Sequence, residues 1–245
     1  MRLLLGFAVL AGCGRIGIEP HGMADGALTA DAAPDAPPPC AFDGEPCDDR
    51  NICTVTSTCR ARTCVSTEPT TCTAARSEDE FSQVQGDGGW FYGFWLVEGD
   101  ASGAYEPTEF QEMAWLGAAW RPSDWEPEPS PSFTWTYLMA WGGHPGTYPT
   151  VRAPIRRWVS DVQGDAAIDI HLSKSDGGGG DGVRGILVVD GTVMLDRTIA
   201  GTDAAGFDVR VIAPLAIGTN VDWLIHPVGG DSSDTSNQTM TIAAP

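Results

Sequence analysis

The sequence predicts an all-β fold of antiparallel strands, and three observations indicate it. First, Asp190-Gly191 joins two runs rich in β-branched residues within segment 183–199. Asp-Gly at such a place favours a type I′ hairpin turn, because both central residues of that turn need a positive φ. Second, apolar and polar side chains alternate through 166–173 and 207–213, as they do in half-buried strands. Third, no segment longer than about ten residues repeats its apolar residues at the helical spacing.

Residues 81–245 form the predicted main domain, which is long enough to bury a sizeable core. About ten short strands separated by polar turns are typical of an antiparallel β-sandwich or jelly roll. Residues 121–131 are predicted to form a proline-rich loop, since repeated proline removes the backbone donors that a sheet needs. The remaining predicted strands are 90–97, 110–115, 134–140, 155–162, 221–228 and 238–243.

The chain is strongly acidic, with 33 Asp and Glu against 14 Lys and Arg and a net charge of −19. A surface of that sign repels polyanions, so the composition argues against nucleic acid and anionic membrane surfaces as partners. Three of the few arginines cluster in the sequence as Arg152, Arg156 and Arg157. They are interpreted either as partners of local carboxylates on a surface strand or as a clamp for a uronate or another carboxylate ligand.

The first residues have the composition of an export signal. Arg2 provides a positive start, and residues 3–10 form an apolar run that is too short to span a bilayer, which takes about 20 residues. Residues 10–13 (LAGC) resemble the lipobox of bacterial lipoproteins. This resemblance implies a signal peptide of residues 1–12, lipidation of Cys13, and a place in the bacterial cell envelope with membrane contact through lipid alone. An ordinary signal peptide, with Cys13 lost or free, is the alternative.

Residues 13–39 are rich in Ala, Asp, Pro and Gly and end in three consecutive prolines before Cys40. Such a composition cannot bury enough apolar surface to offset the entropy of ordering, so it predicts a disordered linker. Proline holds such chains extended, at about 3.1 Å per residue. The segment is therefore interpreted as a tether between the lipid anchor and the folded part of the chain.

Residues 40–75 are predicted to form a small disulfide-rich module. Closely spaced cysteines in even number indicate a disulfide framework in an exported chain. Zinc is the alternative, but the segment contains no C-x-x-C pair and no histidine. Three bridges allow many pairings, and the sequence leaves all of them open. The six cysteines are Cys40, Cys47, Cys53, Cys59, Cys64 and Cys72.

Part of this module resembles the short cysteine-rich repeats of bacterial surface proteins. The resemblance rests on residues 48–54 (DDRNICT) and on the cysteines within 58–65. Arg50 departs from the pattern, because such repeats usually carry glycine at that place. The resemblance implies a spacer rather than a chemical activity.

All nine tryptophans fall in the main domain, and seven of them lie between residues 90 and 141. The core takes up some of these rings, so others are expected at the surface, where exposed aromatic rings mark binding sites. The apolar C–H faces of sugars stack on such rings, and acidic residues between 106 and 128 supply acceptors for sugar hydroxyls. Plain packing with incidental exposure is the alternative. The predicted ligand-binding residues are Trp115, Trp120, Trp125, Trp141 and Arg156.

The glycine-rich loop 176–182 (DGGGGDG) contains the spacing of a dinucleotide-binding fingerprint, but a β-branched strand follows it, so no helix N-terminus is present to hold a phosphate. The loop is interpreted either as a flexible connection or as a site where Asp176 and Asp181 coordinate Ca²⁺. Calcium takes about six to eight oxygens, and Asp231 and Asp234 could contribute if their loop lies at the same end. No other cofactor is expected.

The main domain as a whole resembles the carbohydrate-binding modules of secreted bacterial polysaccharide-active proteins, which are non-catalytic jelly rolls. The resemblance rests on residues 81–93, 156–158, 181–191 and 221–223, and it implies a polysaccharide or glycan as partner. The sequence contains no H-E-x-x-H and no G-x-S-x-G motif, so no enzyme activity is expected. A module that adheres to a protein partner is one alternative, and a polysaccharide hydrolase that uses paired carboxylates is the other.

The lipid anchor is tested by the variant Cys13→Ser. We expect the wild-type chain to sediment with membranes and to carry an acylated Cys13 in mass spectrometry, whereas the variant is released because no acyl chain holds it to the bilayer. A wild-type chain that stays soluble after lysis without detergent, with Cys13 unmodified, contradicts the prediction.

Overall fold

The computed structural model describes residues 40–49, 51–54, 56–66 and 72–245. Within these ranges the chain is mostly β-structure, with no α-helix and two short 3₁₀-helices, Asp87–Gly89 and Pro107–Glu109. The prediction of an all-β, antiparallel sandwich behind a small disulfide-rich module is confirmed, and the arrangement is consistent with a jelly roll. The predicted signal peptide, the lipidated Cys13 and the linker 13–39 lie outside the described residues.

The strands of the described ranges are numbered in chain order. They are β1 (Pro46–Cys47), β2 (Ser57–Arg60), β3 (Thr63–Val65), β4 (Thr73–Arg76), β5 (Trp90–Leu96), β6 (Gln111–Glu112), β7 (Ala114–Leu116), β8 (Ala119–Arg121), β9 (Tyr137–Met139), β10 (Gly142–His144), β11 (Arg152–Val159), β12 (Gly164–Lys174), β13 (Val183–Val189), β14 (Thr192–Ile199), β15 (Phe207–Leu215), β16 (Asn220–Pro227) and β17 (Ser236–Ala243).

Two antiparallel sheets make up the sandwich. The first sheet has eight strands in the order β15-β12-β17-β10-β9-β8-β7, with β4 also paired to β17. The second sheet has six strands in the order β14-β13-β16-β11-β5-β6. The small sheet β1-β2-β3 belongs to the cysteine-rich module.

The hairpin that the sequence predicts at Asp190-Gly191 is confirmed. β13 and β14 pair from Val183↔Ile199 to Val189↔Thr192. The backbone φ is 46° at Asp190 and 83° at Gly191, and two positive values are what a type I′ turn requires. Because β13 also pairs with β16, β14 forms one edge of the second sheet.

The main core lies between the two sheets and follows the alternation of the sequence. In β12, Ile168, Ile170 and Leu172 are buried in this core, whereas Asp169 and His171 lie on the opposite face of the sheet. The second sheet contributes large rings such as Trp223, which is fully buried. Gly185 faces that ring, and a Cβ there would lie 2.4 Å from it, so the indole takes up the space of a side chain.

The outer face of the second sheet is covered by the segment that follows β5. Tyr105 and Phe110 from this segment pack on a smaller apolar cluster. Arg157 forms a bidentate ion pair with the fully buried Asp222, at 2.7 and 2.9 Å, and the Tyr105 hydroxyl donates to the same carboxylate at 3.0 Å. The guanidinium also lies 4.2 Å from the centre of the Phe110 ring. The sequence placed Arg157 on a surface strand; instead it holds this covering segment to the sheet.

The cysteine-rich module contains the three predicted disulfides. They join Cys40 to Cys59, Cys47 to Cys64 and Cys53 to Cys72. Each closes a loop of 17 to 19 residues, and the entropy removed from the unfolded chain by such a loop stabilises the fold by about 3 kcal/mol. A module of this size needs these bridges because its own apolar core is small.

The module is packed against the sandwich. Ile52 is 6% exposed and belongs to the main core. Asn51 forms an isolated bridge with Asp165, and Gln163 donates a hydrogen bond of 2.7 Å to Asp48. The chain then enters the first sheet through β4, which pairs with β17. The module therefore closes one part of the sandwich core.

The packing of the module is tested by Ile52→Ala, with Ile217→Ala as the matched control because that isoleucine is 72% exposed. Truncation of a buried isoleucine costs about 2–5 kcal/mol, so we expect the Ile52 variant to lower the free energy of unfolding by about that amount and the control to have little effect. Denaturant unfolding followed by tryptophan fluorescence reports on the sandwich, which holds all nine rings. An unchanged transition in the Ile52 variant would show that this contact does not stabilise the sandwich.

Candidate functional site

The structure divides the tryptophans into three groups. Trp115 and Trp125 are partly buried. Trp135 is 50% exposed and Trp141 is 38% exposed. The excess of rings that the sequence predicts at the surface is therefore present, but only in part at the predicted positions. The buried rings are Trp90, Trp95, Trp120, Trp158 and Trp223.

Trp120 was predicted as a surface ligand contact, and the structure corrects this. Its side chain is 3% exposed and points inward from β8, where it stacks on Tyr92 at 5.1 Å between ring centres. Its indole N–H donates to the Ser82 carbonyl at 2.9 Å. The neighbouring proline-rich loop suggested exposure, but the strand alternation turns this ring into the core. Trp115 packs beside it edge-on, at 5.8 Å.

Arg156 was also predicted as a ligand contact, and the structure corrects this too. Arg156 is completely buried, and its guanidinium extends from β11 across the sandwich to the first sheet. There it donates to the backbone carbonyls of Met139 and Gly142 and to the Gln238 side chain. Burial lowers the pKa of Arg156 to about 10. No feature of the sequence indicates this burial, because Arg156 has the pattern of an ordinary strand arginine.

A continuous row of aromatic and cationic groups covers the outer face of β8, β9 and β10. Arg121 stacks between Trp125 and Tyr137, with its guanidinium 4.5 and 5.2 Å from the two ring centres. Tyr137 stacks on His144 at 5.7 Å. These residues face away from the main core, because their strand neighbours Trp120 and Leu138 point into it.

The row continues from His144 into the loop that precedes β9. Trp135 lies 5.9 Å from the His144 ring and 5.0 Å from the Phe133 ring, which it meets edge-on. Burial lowers the pKa of His144, so this imidazole is neutral at pH 7. The row thus ends in an exposed indole with an uncharged neighbour.

The proline-rich loop is held in place by an ion pair. Arg152, from β11, donates to both carboxylate oxygens of Asp124 at 2.9 and 2.7 Å. The arginine side chain is 8% exposed, and its two bonds lower the pKa of Asp124 below the usual value. This contact matches the predicted pairing of the arginine cluster with a local carboxylate, and it fixes the loop that carries the exposed ring.

Beside this loop lies a cleft of about 380 Å³, within the usual size of small-ligand sites. Trp135 and Tyr148 line it, and Tyr148 is 64% exposed. Glu128 and Asp231 add two carboxylates. We call this site the aromatic cleft. It combines flat rings with hydrogen-bond acceptors, which is the chemistry the sequence predicts for sugar recognition.

The last loop of the chain, residues 228–235 between β16 and β17, contributes one residue to the aromatic cleft. Asp231 reaches the cleft because its carboxylate accepts a hydrogen bond of 2.8 Å from the Thr147 backbone. The same loop contacts the glycine-rich loop, since the Gly230 N–H donates to Asp181 at 2.8 Å. The two acidic loops therefore lie at the same end of the sandwich, as the calcium hypothesis required.

The aspartates of these loops are not arranged around one point. Asp234 is fully buried against Lys174, with an N–O distance of 2.8 Å, so an ammonium group already occupies part of this region. Burial raises the pKa of Asp234, although the ammonium acts in the opposite direction. In the described part of the chain, the only three side chains whose potential metal-ligand atoms all lie within 4.8 Å of one another are Cys40, Glu45 and Cys59. These two cysteines are disulfide-bonded to each other. Calcium binding by Asp176 and Asp181 stays a prediction.

A second groove runs along the outer face of β12, β15 and β17. His171 contacts Asp208 at 2.9 Å and Ser173 at 3.0 Å. The order Asp–His–Ser is that of a hydrolytic triad, but Ser173 is 2% exposed and also contacts Asn237. The Asp208 side chain is 86% exposed, so water screens its charge. A substrate cannot reach this serine in the observed arrangement.

No protein-family model matches the chain, and no curated protein shows significant sequence similarity to it. None of the helices in the described ranges has the length and apolar content needed to cross a membrane.

The sequence predicted surface rings beside acidic side chains, but it did not predict which residues line the cleft. It named Trp115, Trp125 and Trp141, which do not line the aromatic cleft, and it did not name Tyr148, which does. Trp135 lay among the surplus rings, and Glu128 among the nearby acids. The proline-rich loop was the usable signal, because such a loop cannot bury both its backbone and its rings.

The buried ion pair between Lys174 and Asp234 is expected to hold the last loop, residues 228–235, against the end of β12, from which the glycine-rich loop follows. Asp234→Asn leaves the ammonium without a buried counter-charge and should lower the free energy of unfolding by about 3 kcal/mol or more. Asp196→Asn is the matched control, because the Arg184–Asp196 pair is about 40% exposed on each side and should contribute less than about 1 kcal/mol. Equal losses in denaturant unfolding would show that water reaches the Lys174–Asp234 pair.

Proposed function

We propose that the sandwich binds carbohydrate at the aromatic cleft and that the protein displays it from the bacterial cell envelope on a lipid anchor. One observation carries the first part: two exposed rings, Trp135 and Tyr148, share a cleft with the carboxylates of Glu128 and Asp231. Sugar rings offer apolar C–H faces for stacking and hydroxyl groups that donate to carboxylates, so both halves of the cleft have a counterpart in one sugar unit.

The envelope location is supported by two features of the chain. Residues 10–13 resemble a lipobox. The three disulfides fit an exported protein, since such bonds persist in oxidising compartments. The role in this proposal is binding rather than catalysis.

The proposal is tested by glycan-array binding of the purified mature protein, followed by titration calorimetry with the best oligosaccharide. We expect Trp135→Ala and Tyr148→Ala each to weaken binding about tenfold, equivalent to about 1.4 kcal/mol for the loss of one stacked ring. Trp141→Ala is the matched control, since this ring is exposed but does not line the cleft.

Two outcomes would redirect the assignment. If only Trp141→Ala reduces binding, the ligand lies on the surface that the sequence predicted and not in the cleft. If no glycan binds, the protein-adhesion alternative takes its place, because the same exposed rings can meet a protein surface. Release of reducing ends from a bound polysaccharide would indicate the hydrolase instead.

A further inference from the structure

The charge of the aromatic cleft restricts its ligand further. Two of the eight residues that line it, Glu128 and Asp231, carry carboxylates, and none of the eight is a lysine, arginine or histidine. Within the described ranges, neither carboxylate forms an ion pair with a basic side chain. A neutral sugar can donate its hydroxyl hydrogens to these carboxylates, but it brings no positive charge to balance the two negative ones.

The basic groups around the cleft do not pair with its carboxylates. Arg121, seven residues before Glu128, lies between the rings of Trp125 and Tyr137 and forms no ion pair in the described ranges. Arg152, four residues after Tyr148, is bound to both carboxylate oxygens of Asp124. Lys174 is completely buried and forms an ion pair with Asp234, a residue that lies three positions after Asp231 in the chain. The His144 ring beside Trp135 stays neutral at pH 7, because burial lowers its pKa. In the described ranges, the two carboxylates of the cleft are therefore not paired with a cation.

The rings act in the same direction as the carboxylates. The face of an aromatic ring is negative, and a cation above an indole gains about 0.5–2 kcal/mol, depending on its desolvation. Trp135 is held edge-on by Phe133, so its orientation is fixed before a ligand arrives. The net charge of −19 on the whole chain attracts cations from a distance as well.

We propose that the aromatic cleft selects sugar units that carry an ammonium group, as in de-N-acetylated amino-sugar polymers. The ring of such a unit stacks on Trp135 or Tyr148, and its ammonium group lies between the carboxylates of Glu128 and Asp231. This inference rests on the proposed carbohydrate function and specifies its substrate class.

The test compares two oligosaccharides of equal length that differ only in charge: glucosamine oligomers and N-acetylglucosamine oligomers. Calorimetry at low salt with the mature protein should show at least about tenfold tighter binding of the glucosamine form, and the preference should shrink as salt rises. Glu128→Gln and Asp231→Asn should each remove most of this preference. The Asn side chain can still accept the bond from Thr147, so the second variant keeps the loop contact.

Glu112→Gln is the matched control, because Glu112 is an exposed acid on β6 that does not line the cleft and forms no ion pair in the described ranges. Its binding should equal that of the wild type. Thermal melting confirms that each variant is folded. Choline is a third ligand, and it should bind more weakly than the glucosamine oligomer because it lacks a sugar face for stacking.

The outcomes separate the two proposals. Equal affinity for both oligomers overturns the selection for ammonium and leaves carbohydrate binding intact. Choline binding as tight as the oligomer shows that the cleft recognises the ammonium group without the sugar and overturns the proposed substrate class. Binding of neither oligomer overturns this inference, and the glycan array then decides the proposed function on its own.

Discussion

The guanidinium of Arg156 connects the two sheets from inside the sandwich. Arg156 lies on β11, and its guanidinium donates hydrogen bonds to backbone carbonyls at the β9–β10 turn and to the Gln238 side chain on β17. A buried charge without a carboxylate partner is costly, and three acceptors offset part of that cost by binding Nε and Nη2, whereas Nη1 has no hydrogen-bond partner. Gln238 in turn donates to the Trp223 carbonyl on the second sheet. The β9–β10 pair, which carries the outer aromatic row, is therefore positioned by a polar contact in the core.

On the outer side of the same strands, the loop between β8 and β9 is shaped by charge and by stacking. The Arg152–Asp124 pair holds its first half to β11, and Arg121 lies between two rings of the row. Its second half presents Trp135 at the edge of the cleft. A ring that is fixed before binding loses little entropy when a ligand arrives, which favours recognition by a preformed surface.

The last loop links this cleft to the acidic end of the sandwich. Asp231 faces the cleft, and three residues later Asp234 is buried against Lys174. One short loop thus carries a carboxylate that lines the cleft and a second carboxylate that forms a buried ion pair. The difference is burial: the inner charge has a partner at 2.8 Å, whereas the outer one faces a cleft without basic groups. This division explains how a strongly acidic chain can keep a site of concentrated negative charge without loosening the loop.

The sequence by itself determined the fold class and the local structure, because these depend on neighbours along the chain. Alternation in β12 and β15, the Asp190-Gly191 turn and the disulfide-rich character of the module could all be predicted. The disulfide pairing, the burial of Trp120 and Arg156, and the meeting of Glu128 with Asp231 were decided only by the tertiary structure. These features join residues that are far apart in the chain, and a strand pattern does not show what lies across the sheet. An exposed and a buried tryptophan look the same in sequence, since only the packing of distant strands leaves one of them in water.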